Sequence, residues 1–342
     1  MSNPNTLRLS FETQPSEEDH EYEKAHLATI LDRYKDRLTT FPKEKGWVSE
    51  HLYMYQGFWH LSKGVFSFET MMALQEAFEA HPTDIYLATL PKSGTTWMKA
   101  LMFALVNRTR HENHRPSTHP LLIFNPHKCL PFVEPEIYRK TPTYVDAHRP
   151  RLFATHIPYT LLPRSIIDSG CRLVYMCRNP KDVLVSLFHF TNKLRDESRG
   201  VMTFEEAFQM FSNGVMPYGP HWDHVKGYYN AGLEHPTRIL FLTYENMEKD
   251  SVNNVKRLAE FLGCGFTEKE EAEGAVEEIV KMCGFENLRE VNKHGDLREG
   301  VPNHTFFREG KVGDWSNHLT TEMSNILDQI VKEKFQGLDI SF

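Results

Sequence analysis

Ile85-Tyr86-Leu87-Ala88-Thr89-Leu90-Pro91-Lys92-Ser93-Gly94-Thr95-Thr96-Trp97 is the stretch that decides the fold. Ile85 to Leu90 is a short apolar run of the kind a buried parallel strand needs. Pro91 and Gly94 punctuate it, and from Thr95 to Asn107 the apolar Met98, Leu101, Met102 and Leu105 recur at helical spacing. A strand that ends in a short glycine-containing turn and opens a helix binds phosphate. Free N–H groups at the helix start, its positive dipole end and the Lys92 ammonium converge there, with Thr95 and Thr96 adding hydroxyls. The order differs from GxxxxGK[ST], where Lys follows the second Gly and a magnesium-binding hydroxyl follows the Lys. Here Lys92 precedes Gly94, so a metal-free anion cradle is expected; the plain alternative is a turn with a surface lysine.

Outward from this unit, Leu152 to Thr155, Leu173 to Cys177 and Ile239 to Thr243 read as further buried strands, with helices at Asp182 to Leu194 and Val252 to Leu262. Alternating strands and helices imply a single α/β domain, a central mostly parallel sheet flanked by helices. Ligands in such sheets bind beyond the carboxyl ends of the strands. Residues 1–40, rich in Ser, Asn, Glu and Lys, read as a partly mobile lead-in in which Tyr22 to Leu38 could be helical; the domain proper is expected over 41–342.

The 342 residues are 40% hydrophobic and 25% charged, ordinary for a globular protein. A net charge of −7 argues against broad nucleic-acid binding, which needs a basic surface, so any anionic ligand must meet local cations. Cys129, Cys171, Cys177, Cys264 and Cys283 form no CxxC pair, which fits a reducing, cytoplasmic setting. No apolar run approaches the roughly 20 residues that span a bilayer, so no membrane role is expected.

Each later strand also ends in chemistry. After Phe153-Ala154-Thr155 comes His156, whose imidazole is suited to taking a proton at neutral pH. With 18 histidines in the chain, a structural role is the alternative for any one of them. The third strand runs into Arg178-Asn179-Pro180-Lys181-Asp182, with Ser186 one to two turns into the next helix. Arg178 offers a planar fork suited to a terminal phosphate; the alternative is an ion pair with Asp182 at the helix start. Phe306-Phe307-Arg308-Glu309-Gly310-Lys311-Val312-Gly313-Asp314-Trp315 reads as a loop folding over a ligand, or as a turn pinned by its aromatics.

Taken in order from about Phe41, these segments resemble the cytosolic sulfotransferases, most closely the plant branch. The resemblance also rests on Thr155-His156-Ile157-Pro158, Tyr244-Glu245-Asn246-Met247 and Cys283-Gly284-Phe285-Glu286. It implies that 3′-phosphoadenosine 5′-phosphosulfate (PAPS) is the co-substrate, with no metal. Lys92, Ser93, Gly94, Thr95 and Thr96 would hold the 5′-phosphosulfate; Arg178, Ser186 and the Arg308-Glu309-Gly310 loop would hold the 3′-phosphate. Trp97 and Phe285 would sandwich the adenine, Tyr244 would complete the nucleotide site, and His156 would be the base. Lys92 and Ser186 would join His156 in catalysis, Ser186 restraining Lys92 until acceptor arrives. Phe132 and Phe190 would line the pocket of a small hydroxylated acceptor: a flavonoid by preference, or a brassinosteroid, hydroxyjasmonate or desulfoglucosinolate.

The chain departs from the family in three places. Glu309 stands where the family loop usually has Lys, setting an anion near a doubly charged phosphate. Ala154 stands where many animal members have Lys, which implies a less cationic acceptor side. Of the animal dimer contact only Thr320 survives among Ser316, Thr320, Thr321 and Asn325, so a monomer is expected. The competing functions are a P-loop-type ATP-dependent kinase, against which the Lys-before-Gly order stands, and a non-catalytic nucleotide-binding module, for which Glu309 is the hint.

Overall fold

The computed structural model describes residues 17–111, 119–138, 150–298 and 301–342. A small antiparallel sheet of β1 (Lys43–Lys45), β2 (His51–Tyr55) and β3 (Phe58–Leu61) precedes the main one. The main sheet holds β4 (Ile85–Thr89), β5 (Leu152–Thr155), β6 (Arg172–Cys177) and β7 (Ile239–Thr243), all parallel, in the order β5-β4-β6-β7. The four strands read from the sequence are these four, to within one residue at each end.

Alternate residues of a strand face opposite sides, and here both sides are buried. Tyr86, Phe153 and Tyr175 pack into one core, while Leu87, Ala154, Val174 and Leu242 pack into the other. Pairing is in register at the carboxyl ends. Ala88 lies opposite Thr155, Thr89 opposite Met176, and Cys177 opposite Thr243. The segments leaving all four strands therefore emerge along one edge, which is what gathers Lys92, His156, Arg178 and Tyr244.

The first crossover helix runs Thr95–His111, past the expected Asn107. Met98, Leu101, Met102 and Leu105 are buried as expected, but so are Lys99, Phe103 and Ala104. The helix is more than a one-sided stripe, because the helices Ser251–Leu262 and Ala275–Met282 and the short Pro126–Cys129 turn also cover it. The helix after β6 begins at Pro180 rather than Asp182: Asn179 accepts from the Lys181 N–H at 2.9 Å, and Pro180 takes the first helical position.

In the lead-in, the helix Glu17–Leu38 buries Ile30 and Tyr34, packing against Phe68–Ala77; residues 1–16 lie outside the described residues. Among the described residues, no helix is long and apolar enough to cross a membrane.

Candidate active site

Lys92 leaves β4 with φ +69°, a left-handed conformation that costs a side-chain-bearing residue of order 1–3 kcal/mol and is typical of functional turns. Its ammonium lies 4.1 Å from the centre of the Phe190 ring. Burial, and then the nearby charges of Arg178, Lys193 and Arg308, lower its pKa to about 7. Three cations pressing on a fourth describe a site prepared for an anion. Gly94 is required where it stands: φ is +94°, and a Cβ would come within 2.7 Å of Tyr244 Cδ2.

Three donors in this region have no protein partner among the described residues: the buried Ser93 Oγ, Arg178 Nε and Arg308 Nε. Buried donors are nearly always satisfied, so three beside one cradle fit a ligand rich in acceptor oxygens. Thr95 Oγ1 meets Thr89 Oγ1 at 2.7 Å, and Thr96 Oγ1 meets His127 Nε2 at 3.1 Å. Ser186 is buried on the second turn of the Pro180–Leu194 helix. Among the described residues no group of His, Cys, Asp and Glu could hold a metal ion.

The His156 ring is fixed at one nitrogen. Nδ1 lies 2.7 Å from the Thr89 carbonyl, so Nδ1 carries the hydrogen and Nε2 keeps its lone pair. Behind it, His224 Nε2 is 3.0 Å from the His156 carbonyl, and the Tyr175 hydroxyl lies 3.0 Å from His224 Nδ1. Burial, with Lys99, His224 and Lys92 nearby, pushes the His156 pKa down to about 3 despite the Thr89 bond. The imidazole is neutral at physiological pH and part-exposed.

Arg178 stacks on Tyr244, 4.5 Å from its ring centre, and donates to the Lys311 carbonyl at 2.6 Å. The Arg178–Asp182 ion pair exists at 3.8 Å, but Asp182 chiefly serves the loop. Its two oxygens accept from Gly313 N at 2.8 Å and Trp315 N at 3.0 Å. Tyr244 Oη donates to Gly310 O at 2.8 Å, so Arg178, Asp182 and Tyr244, near the strand ends, hold the 308–315 loop over the sheet edge. At Gly310, with φ +65°, a Cβ would lie 2.7 Å from Phe285 Cε2; the loop backbone rides on that ring. Arg308 pairs with Asp314 at 2.6 Å, and the Glu309 side chain is exposed. Trp97 meets Tyr244 edge-on at 5.3 Å, and Phe285 meets Phe307 at 6.0 Å.

Aromatic rings surround His156 and Lys92. Phe132 lies 4.8 Å and Tyr218 5.5 Å from the His156 ring; Phe66 is 5.1 Å from Phe132. His127 bridges Phe132 and Phe306, and Phe306 meets Phe190 at 5.6 Å. The structure thus sets Phe132 and Phe190 on one aromatic wall. Phe66, His127 and Tyr218 escaped the sequence reading, as did Lys99 and Glu134. For His127 the local signal was Asn125-Pro126, a cap and first-turn proline, which announces a helix but no function.

Comparison with known proteins puts this geometry in context. A family model described as the sulfotransferase domain matches residues 82–339. "Cytosolic sulfotransferase 12" of Arabidopsis thaliana is 43% identical over 309 residues, covering 89% of this chain and 92% of that protein. "Flavonol 4′-sulfotransferase" of Flaveria chlorifolia is 44% identical over 293 residues, covering 84% and 88%. The crystal structure of a mouse sulfotransferase complexed with PAP superimposes with a TM-score of 0.61 at 25% identity, covering 84% of this chain and 95% of that one.

Proposed function

The chain belongs to the sulfotransferase family, and from that premise we propose that it moves a sulfuryl group from PAPS to a phenolic hydroxyl of a flavonol-type acceptor at the edge where Lys92, His156, Arg178 and Arg308 gather. It is a PAPS-dependent sulfotransferase; the acceptor and the residue roles are our reading. The supporting observation is the set of donors unpartnered among the described residues, Ser93 Oγ, Arg178 Nε and Arg308 Nε, beside a lysine whose pKa burial and then nearby cations lower.

The acceptor hydroxyl approaches His156 Nε2, the nitrogen not committed to Thr89. Its oxygen forms a bond to sulfur as the bond from sulfur to the bridging phosphate oxygen breaks, and its proton passes to Nε2. Charge gathers on the bridging oxygen, where the Lys92 ammonium stabilises it; a preorganised contact of this kind is typically worth about 2.7 to 4 kcal/mol of barrier. A phenol with pKa about 10 is protonated at neutral pH, so a base is needed. Arg178, Ser186 and Arg308 hold the remote phosphate, Trp97 and Phe285 the adenine, and Phe132 and Phe190 the acceptor. Ser186 also restrains Lys92; an S186A protein that hydrolyses PAPS no faster than wild type without acceptor would remove that role.

The aromatic wall supports a planar phenol over an aliphatic alcohol. The test is transfer from PAPS to a panel of flavonols, brassinosteroids, hydroxyjasmonate and desulfoglucosinolates, with sulfated products followed by mass. Preferred turnover of flavonols supports the acceptor reading; turnover confined to another class replaces it. We place the enzyme in the cytosol, as the names of its relatives suggest, and read it as a monomer, for which light scattering should give about 39.9 kDa.

A further inference from the structure

Two buried ionisable groups next to the candidate base take no direct part in the chemistry above. Glu134, 2% exposed, accepts at Oε1 from the Thr155 hydroxyl at 2.8 Å and from the His156 backbone N–H at 3.2 Å, while its Oε2 has no hydrogen-bond partner among the described residues. Lys99, fully buried, also has none for Nζ, which lies 3.4 Å from the centre of the Phe132 ring, itself 4.8 Å from His156. The backbone brings them together. Val133 N donates to Ala154 O at 2.9 Å and Ala154 N to Pro131 O at 2.8 Å, so the 131–134 segment runs beside β5 and delivers Glu134 to its end. Lys99 comes from the helix after β4, one turn after Thr95, which touches Thr89.

We propose that Glu134 and Lys99 are positioning residues for His156: the Glu134 carboxyl fixes the strand end that bears the imidazole, and the Lys99 amine fixes the Phe132 ring that faces it. The proposal rests on reading His156 as the base. Burial drives the Lys99 amine well below its ordinary pKa and raises the Glu134 carboxyl to about 6, and each group offsets part of that shift in the other. Lys99 also opposes protonation of His156. With Glu134 neutralised, that field would fall unbalanced on the imidazole as it takes the acceptor's proton, and transfer would slow.

Replacing a buried pair by apolar groups is often neutral for stability, so kinetics must separate positioning from packing. The groups facing Glu134 are Lys99, His156, Tyr218 and Tyr228. Burial raises the Glu134 carboxyl to about 6, whereas His156 lies near 3, so the proposal expects an acid limb of kcat near pH 6, set by Glu134.

The test uses full-length protein, PAPS and a phenol that wild type sulfates. Glu134→Gln should lower kcat at least about tenfold with PAP affinity within about twofold, and adding Lys99→Met should recover at least about threefold. Lys99→Met alone should move the acid limb of kcat upward. A Glu134→Gln enzyme as fast as wild type, or a double variant no faster than Glu134→Gln, overturns the proposal. If Glu134→Gln does not fold, Lys99→Met decides, and an unmoved acid limb overturns it. His156→Ala separates the two readings. Normal transfer by that variant sinks the base assignment and the pair with it, whereas loss there beside a normal Glu134→Gln enzyme sinks the pair alone.

Discussion

His156 Nδ1 sits 2.7 Å from the carbonyl oxygen of Thr89, so the end of β4 decides which nitrogen of the ring at the end of β5 is free. Neighbouring parallel strands cooperate to present one lone pair. Desolvation, with Lys99, His224 and Lys92 nearby, lowers the imidazole pKa to about 3. Nitrogen-edited NMR on the free enzyme should show His156 as the Nδ1–H tautomer, with shifts constant from pH 8 down to pH 5. A midpoint near 6.5, the ordinary value, would show that the ring is solvated and not held.

Lys92 titrates at about 7, so at pH 8 most free enzyme carries it neutral. A bis-anionic nucleotide favours the ammonium and raises that pKa, so PAP binding should take up protons above pH 7 and weaken as pH rises from 7 to 9. Calorimetry in buffers of differing ionisation enthalpy measures the uptake. Lys92→Met should abolish it, and uptake that persists in that variant would assign the proton elsewhere.

Asp182 accepts from Gly313 N and Trp315 N, and such bonds to a charged acceptor are worth about 1.5–3 kcal/mol each. Asp182→Ala should free the loop that carries Arg308 and weaken PAP binding by about tenfold or more. An unchanged affinity, with thermal stability also unchanged, would mean that Tyr244 and Arg178 suffice to hold the loop.

The Glu309 side chain is exposed, which tempers the like-charge penalty its sequence position implies. Glu309→Lys should tighten PAP binding by about two- to fivefold at low salt, with the gain fading as ionic strength rises. A gain independent of salt, or none, would separate this side chain from the phosphate.

Much of this was legible in the sequence because strand ends are marked twice, by an apolar run and by the polar residues that follow it. Lys92, His156 and Arg178 could each be read as the first chemistry after a strand, Tyr244 came in through the family resemblance, and the parallel register places all four side by side. Lys99 was not legible: at helical spacing it reads as solvent-facing, and it is buried where the segment carrying Cys129, Phe132 and Glu134 folds over that face. Glu134 was hidden likewise, since its partners at Thr155 and His156 depend on a pairing between loop and strand. The β2–β3 hairpin did carry a local signal, Gln56-Gly57 with φ of +47° and +87°, but Gln in place of Asn or Asp at the first turn position obscured it.

The most direct measurement compares His156→Ala with wild type in two assays on one preparation, transfer of the sulfuryl group from PAPS to a phenol and equilibrium binding of PAP. The account predicts that transfer falls by about 10²- to 10⁴-fold while PAP affinity stays within about twofold. Transfer at the wild-type rate, or loss of nucleotide binding in step with transfer, would contradict it.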